Sequence, residues 1–410
     1  MTWDVVVVGA GPGGLAAARE CARGGLFTLL LDEADQPGGQ IWRAKGGKAN
    51  PLATLPANAE FRPSTTVFDA GPGWLRTLCG GTSEDVRWRH LILATGAREL
   101  FLPFPGWTLP GVMGAGGLQA MAKRGLPVAG KRILLAGTGP LLLAVAAWLA
   151  AEGAEVVRVC EQAPLSRAMP WLAAIALHPA KASQGLAMAR DLPPGVLRFG
   201  AHVASVEMVA TGLKASIRRG HRSETVQADY AGVGYGLVPN TELATLLGCT
   251  TIGAPPRVVV DDRQATSVPE VFAVGEAVGI GGHECAEVEG EVAAAAILGE
   301  PLAALQRRRS RERRLADTMN RAFALGPALG QLPSDRTTVC RCEDVPWGSL
   351  SEFDNWREAK LQTRCGMGPC QGRICGAALW ALRGFGPDQA KPPLVPVPAE
   401  HLAEPTEGDR

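Results

Sequence analysis

Residues 340–342 read Cys-Arg-Cys, and residues 365–375 read Cys-Gly-Met-Gly-Pro-Cys-Gln-Gly-Arg-Ile-Cys. Two close pairs of thiols from separate segments, among glycines that free backbone N–H groups, suit an iron–sulfur cluster. Zinc is the competing chemistry, because four cysteines also make a zinc site. One residue between the first pair and four between Cys370 and Cys375 is less usual for zinc ribbons, which prefer C-x-x-C. Cys365 is a spare thiol or an alternative ligand on spacing alone. Cys160, Cys249 and Cys285 stand alone in the sequence and read as small buried hydrophobes rather than nucleophiles.

The second chemical signal opens the chain. Gly9-Ala10-Gly11-Pro12-Gly13-Gly14 fits G-x-G-x-x-G. Gly9 permits the tight turn, Gly11 lets the backbone approach a pyrophosphate, and Gly14 lets the helix pack closely on the strand. The phosphates then meet the positive end of the helix. Asp32, 18 residues after Gly14, is placed to accept from ribose hydroxyls, with Glu33 as the alternative. Gly38-Gly39-Gln40 follows, a Gly pair that lets the chain pass close to a large ligand and an amide that can reach it. A second loop, Gly137-Thr138-Gly139-Pro140-Leu141-Leu142, keeps two of the three glycines but carries Leu142 at the third. It is a degraded fingerprint, so loss of nicotinamide binding and retention stay open. Glu161, ending the next strand, would favour NAD over NADP.

These loops need elements to position them. Residues 3–8 are a β-branched run typical of a strand buried on both faces, followed by a small-residue helix and the apolar run FTLLLDE. That is a βαβ unit, and a second begins at Lys131. Residues 86–94 read as a further core strand ending at Thr95-Gly96. Residues 257–274 return to strand-like character, ending at Gly275-Glu276. Residues 302–325 are Arg-rich and read as a solvated helical linker, and the tail after Lys391 is Pro-rich and extended.

The composition is that of an ordinary globular protein, 46% hydrophobic and 20% charged. Lys and Arg (41) nearly balance Asp and Glu (40), leaving no basic field for nucleic acid. The apolar stretch Leu141–Ala151 is too short to span a membrane. With no secretory signal at the start, a cytoplasmic, non-integral protein is expected, in which clustered cysteines stay reduced and serve a metal. Association with a membrane surface through partners is compatible with this.

The first loop, Gly38–Gln40, Ala94-Thr95-Gly96 and Gly275-Glu276 together resemble the two-dinucleotide-binding flavoprotein superfamily of glutathione and thioredoxin reductases. The resemblance implies FAD contacts at Gly9, Gly11, Pro12, Gly13, Gly14, Asp32, Glu33, Gly39, Gln40, Val67, Ala94, Thr95, Gly96, Gly275 and Glu276. Glu276 stands where that superfamily has an Asp on the ribityl chain. The redox cysteine pair of the disulfide reductases is missing from its expected places. The cysteine segment resembles the bacterioferritin-associated-ferredoxin-like 2Fe–2S module, which implies Cys340, Cys342, Cys370 and Cys375 as ligands. With residues 105–112, 234–240 and 286–290, nearly the whole chain resembles a family of FAD-binding α subunits. Its members serve D-hydroxyproline dehydrogenase, opine (octopine, nopaline) oxidase, where they are the A-subunit, and hydrogen cyanide synthase.

An α/β flavoprotein fold of the glutathione and thioredoxin reductase type, with a small α-rich 2Fe–2S domain, is therefore expected. The boundaries expected are an FAD-binding domain at 1–124 and 251–300 and a second nucleotide-binding-like domain at 125–250. A helical linker at 301–335, the cluster domain at 336–386 and the tail at 387–410 complete them. The resemblance implies a heteromeric amino- or imino-acid dehydrogenase. Its D-amino-acid-oxidase-like FAD β subunit would oxidise the substrate, beside a small ferredoxin-like 2Fe–2S subunit, with a downstream electron acceptor. This chain would relay electrons. An NAD(H)-dependent reductase and a flavin subunit that never turns over are the alternatives. No catalytic acid, base or nucleophile can be named.

Overall fold

The computed structural model describes residues 2–42, 54–253, 255–386 and 390–402. The chain divides into two units. The first comprises the described residues up to Arg98, Val238–Ala316 and the described tail, and the second Glu99–Leu237 with the described residues of Asp317–Pro387.

In the first unit the β-branched run forms the strand Thr2–Val8, which pairs in parallel with Thr28–Leu31 on one side and Thr82–Leu93 on the other. Ala59–Arg62 extends the sheet beyond Thr28–Leu31, and Val271–Ala273 pairs with the end of Thr82–Leu93. The 12-residue strand Thr82–Leu93 serves two partners: its start joins the antiparallel strands Thr65–Gly71 and Trp74–Cys79. Among the described residues this makes a seven-stranded sheet. Because Val8, Leu31, Leu93 and Ala273 end in register, the loops that follow them open at one edge. Ligands in open α/β sheets bind at that carboxyl edge.

Against this sheet the helix Pro12–Arg23 crosses the helix His283–Leu298, whose buried residues are mostly alanine and valine. Small residues let the two backbones touch: a Cβ on Gly290 would lie 2.2 Å from the Gly13 carbonyl oxygen. Gly299, at φ 73°, ends the second helix in the left-handed conformation that favours glycine.

The second unit repeats the theme. Leu197–Phe199, Glu155–Glu161, Arg132–Gly137, Tyr230–Gly234 and Val112–Met113 form a parallel sheet in that order. The apolar helix Leu141–Ala151 packs on it as a buried element. An antiparallel sheet of Ala201–Val209, Gly212–Arg219 and Arg222–Ala228 accompanies it. The cysteine segment adds the hairpin Thr338–Cys340 with Val345–Pro346 and the helices Trp356–Thr363 and Cys375–Arg383. Asn355 caps the first of these, accepting from the Glu358 N–H at 3.0 Å.

Several expectations change. The units meet at 98/99 and 237/238 rather than near 124 and 250. The Arg-rich stretch is the helix Ala303–Ala322, as expected, and it runs from the first unit into the second, but several of its arginines are paired. Arg308 pairs with Glu291 and Arg309 with Asp262, each at 2.7 Å, and Arg313 reaches a buried carboxylate. The tail is tied down: Leu394 is buried, and its N–H donates to the Phe68 carbonyl at 2.7 Å. Residues 387–389 and 403–410 of that tail lie outside the described residues. Within 257–274 only Arg257–Val258 and Val271–Ala273 are strands.

Gly290→Ala should destabilise the protein by about 1–3 kcal/mol, the usual cost of overpacking, because backbone rather than a pliant side chain stands in the way. Thermal unfolding would show it. An unchanged melting temperature would mean that the two helices separate freely.

Candidate functional site: a dinucleotide loop and a thiol cluster

The first loop is built by strand ends. The Gly9 N–H donates to the Leu31 carbonyl at 2.8 Å, and the Ala94 N–H to the Val8 carbonyl at 2.8 Å. Gly9 turns at φ 108°, where a Cβ would sit 2.1 Å from the Ala94 carbonyl oxygen. A Cβ on Gly14 would lie 1.8 Å from the Gly9 carbonyl oxygen, so the helix starts hard against the strand end. At Gly11, by contrast, a Cβ would meet no protein atom within 4 Å. Loop and helix start thus form a cradle with open space at the position assigned to close phosphate approach.

Asp32 follows its strand and remains half exposed. It accepts from the Ala10 N–H at 2.5 Å and the Ala34 N–H at 2.8 Å. Those bonds fix the loop and leave lone pairs over for a ribose. Glu33 is exposed beside it. The Gly38 N–H donates to the Ala10 carbonyl at 2.8 Å, and a Cβ on Gly39 would come within 2.9 Å of the Gly11 Cα. The Gly pair therefore passes against the first loop, with Gln40 exposed at its end. Trp42 closes this turn, its ring edge-on to His283 at 6.2 Å.

Thr95 and Gly96 are held by Asn240: the Thr95 hydroxyl donates to the Asn240 carbonyl at 2.6 Å, and the Asn240 amide to the Thr95 carbonyl at 2.9 Å. Arg98 donates to the Asn240 side chain and pairs with Glu242. Val67 lies on the strand Thr65–Gly71, half-buried.

Gly275 is fixed by a residue that sequence reasoning missed. Glu289, 1% exposed, accepts from the Gly275 N–H at 2.9 Å and from Arg313 Nε at 2.7 Å, while Arg313 donates also to the Gly279 carbonyl at 2.7 Å. Burial pushes the Glu289 carboxyl up, and Arg313 opposes it. Burial likewise raises the Glu276 carboxyl, again against Arg313. A glutamate inside an alanine-rich helix was the one available signal.

In the second unit, Cys340, Cys365 and Cys375 are buried with their sulfurs within 4.8 Å of one another. Cys370 touches the thiols of Cys375 and Cys342, so five thiols converge. Contact with the Cys375 thiol, helped by the N–H groups of Ile374 and Gly372, lowers the Cys370 thiol to about 5. Trp356 packs under the cluster: a Cβ on Gly366 would fall 2.6 Å from its ring. An all-thiol donor set with N–H groups on sulfur suits iron–sulfur ligation, and it also admits zinc. The family resemblance implied Cys340, Cys342, Cys370 and Cys375 as ligands. The structure brings all four together but sets Cys365, rather than exposed Cys342, in the tightest trio. Cys160, Cys249 and Cys285 are buried thiols, as expected, and Cys21 is buried too.

The profile of the pyridine nucleotide-disulphide oxidoreductase family matches residues 3–297. The opine oxidase A-subunit of Rhizobium meliloti (strain 1021) is 31% identical over 98% of this chain and 98% of its own length. Hydrogen cyanide synthase subunit HcnB of Pseudomonas protegens is 32% identical, covering 92% of this chain and 90% of that protein. Among solved structures, L-proline dehydrogenase from P. horikoshii superposes with a TM-score of 0.68 at 18% identity, over 98% of this chain and 80% of that one. No helix among the described residues is long and apolar enough to cross a membrane.

Arg313→Ala would leave Glu289 buried without its cation, and should cost about 3–5 kcal/mol. Adding Glu289→Gln should recover part of that loss in denaturant unfolding. Equal stability of Arg313→Ala and wild type would show that the pair contributes nothing.

Proposed function

The chain belongs to the pyridine nucleotide-disulphide oxidoreductase family, with the opine oxidase A-subunit and HcnB as full-length relatives, and from that premise we propose an electron-relay role. It is a flavin oxidoreductase. In the proposed reading it carries FAD on the first loop and a 2Fe–2S cluster on the cysteine module. It serves a heteromeric enzyme that oxidises an amino or imino acid. The observation that carries this reading is the pairing, in one chain, of an open dinucleotide cradle with five convergent thiols.

The cradle residues fit FAD. Gly11, Gly13 and Gly14 would offer N–H groups to the pyrophosphate, with Gly9 making the turn and Pro12 starting the helix, and Asp32, or Glu33 beside it, would meet the adenosine ribose. Gly39, Gln40, Val67, Ala94, Thr95, Gly96, Gly275 and Glu276 would line the remainder. Bound there, FAD exchanges electrons in pairs or singly, which is what a one-electron cluster requires of its neighbour. Glu289 and Arg313 hold the backbone at Gly275 and Gly279, so their task is positioning. Cys340, Cys342, Cys370 and Cys375 are the proposed cluster ligands, with Cys365 as a buried fifth thiol beside them. No closely spaced cysteine pair follows Gly38-Gly39 or lies in the second nucleotide loop, which disfavours a disulfide reductase.

Both curated relatives are named as subunits, which supports a hetero-oligomer. The partners proposed are a D-amino-acid-oxidase-like FAD subunit, which would remove electrons from the C–N bond, and a small ferredoxin-like protein. A cytoplasmic location is proposed with them. The complex co-purified through this chain, mixed anaerobically with proline, 4-hydroxyproline and opine isomers, should bleach its flavin and then develop a reduced-cluster electron paramagnetic resonance signal. Flavin that stays oxidised while substrate is consumed would contradict the relay.

Individual Cys→Ser variants would test the ligand set. Cys375→Ser and Cys370→Ser should lose iron and its visible absorption while retaining FAD, whereas Cys365→Ser and exposed Cys79→Ser should keep both. Iron lost from Cys365→Ser and kept in Cys342→Ser would move the ligand set to the buried trio.

A further inference from the structure

Two acids end equivalent strands in the two nucleotide units, and their surroundings differ. Asp32 stays half exposed. Glu161, ending Glu155–Glu161, is 3% exposed. Its Oε2 accepts from the Gly139 N–H at 2.7 Å, and its Oε1 from the Ala163 N–H at 2.8 Å, with the Thr138 hydroxyl 2.9 Å away. A pyridine nucleotide needs this acid turned to its ribose hydroxyls. Glu161 makes the same kind of loop contacts as Asp32, but here the acid is covered.

The cover is the chain itself. Directly after the helix Ala303–Ala322, residues Phe323–Gly326 run over the loop. The Thr138 hydroxyl lies 2.9 Å from the Phe323 carbonyl as well as from Glu161, and its single proton is shared between them. Gln162 grips the segment at both ends of its amide: Nε2 donates to the Ala324 carbonyl at 3.0 Å, and Oε1 accepts from the Gly326 N–H at 3.0 Å. Arg167 Nε donates to the Ala322 carbonyl at 3.1 Å, and its guanidinium also to the Ala324 carbonyl. The Phe323 ring stands edge-on to Trp171, with centroids 5.1 Å apart. All these partners lie within one unit.

The loop differs on its phosphate side too. Where the first helix starts at Pro12, its counterpart starts at Leu141, one place after the equivalent Pro140. Leu142 replaces the glycine whose absent Cβ allows the tight start at Gly14.

We propose that Phe323–Gly326 is a built-in occupant of the adenosine side of the second nucleotide loop, so that this unit holds its own chain where a pyridine nucleotide would lie. Thr138, Gln162 and Arg167 are the residues that hold the occupant. The contact closes the direct route for NADH to deliver hydride and anchors the chain entering the cysteine module. The proposal stands independently of the electron-relay reading, because it concerns binding and not turnover.

The full-length protein is titrated with NADH and with NADPH to millimolar concentration, following nucleotide fluorescence, and hydrogen exchange is measured at the Gly326 amide. Wild type should show no saturable binding, and a protected Gly326 amide that the nucleotides leave unchanged. Gln162→Ala with Arg167→Ala should expose that amide and make NADH binding saturable below millimolar concentration, a gain of about tenfold or more over the wild-type limit. Micromolar NADH binding by wild type would overturn the proposal. So would a folded double variant that exchanges freely at Gly326 yet gains no NADH affinity. Should that variant fail to fold, rapid exchange at Gly326 in wild type would overturn it on its own.

Discussion

The structure depends on a close backbone approach that only glycine permits. At Gly14 a Cβ would stand 1.8 Å from the carbonyl oxygen of Gly9, and at Gly290 it would stand 2.2 Å from that of Gly13. Strand end, helix start and returning helix therefore meet with no side chains between them. That contact aims the N-terminus of Pro12–Arg23 at the carboxyl edge of the sheet, where the cradle lies. The second unit shows the result of relaxing the constraint. With Leu142 in the third glycine's place, its helix starts one residue later.

A buried ion pair supports the same edge. Glu289 sits in a helix otherwise lined by alanine and valine, and Arg313 reaches it from the helix Ala303–Ala322. Such pairs add little net stability over an apolar core, yet breaking one partner is costly. Their value here is placement: the two side chains hold the backbone of Gly275 and of Gly279 from opposite sides of one carboxylate.

What the sequence made legible was local. The first glycine loop, its acid, the Gly38-Gly39 turn and the cysteine convergence all rest on short spacings that carry their own geometry. Less legible were contacts between distant residues. Arginine composition suggested a solvated helical linker, and periodicity alone does not reveal that Arg313 on it has a buried carboxylate to meet. The proline-rich tail read as extended, and nothing near Leu394 announced that Phe68 would accept its N–H. Glu161 read as a ribose acid because the segment covering it lies about 160 residues further along the chain. The place of Cys365 within the trio is of the same kind: spacing names candidate ligands, and packing decides which are buried.

The central claim is that one chain holds both a flavin and a one-electron centre. Anaerobic coulometric titration of the isolated, natively purified chain tests it most directly. The account predicts uptake of roughly three electrons per chain, two by FAD and one by a 2Fe–2S cluster. Uptake of only two, with no paramagnetic signal from a reduced cluster, would contradict it.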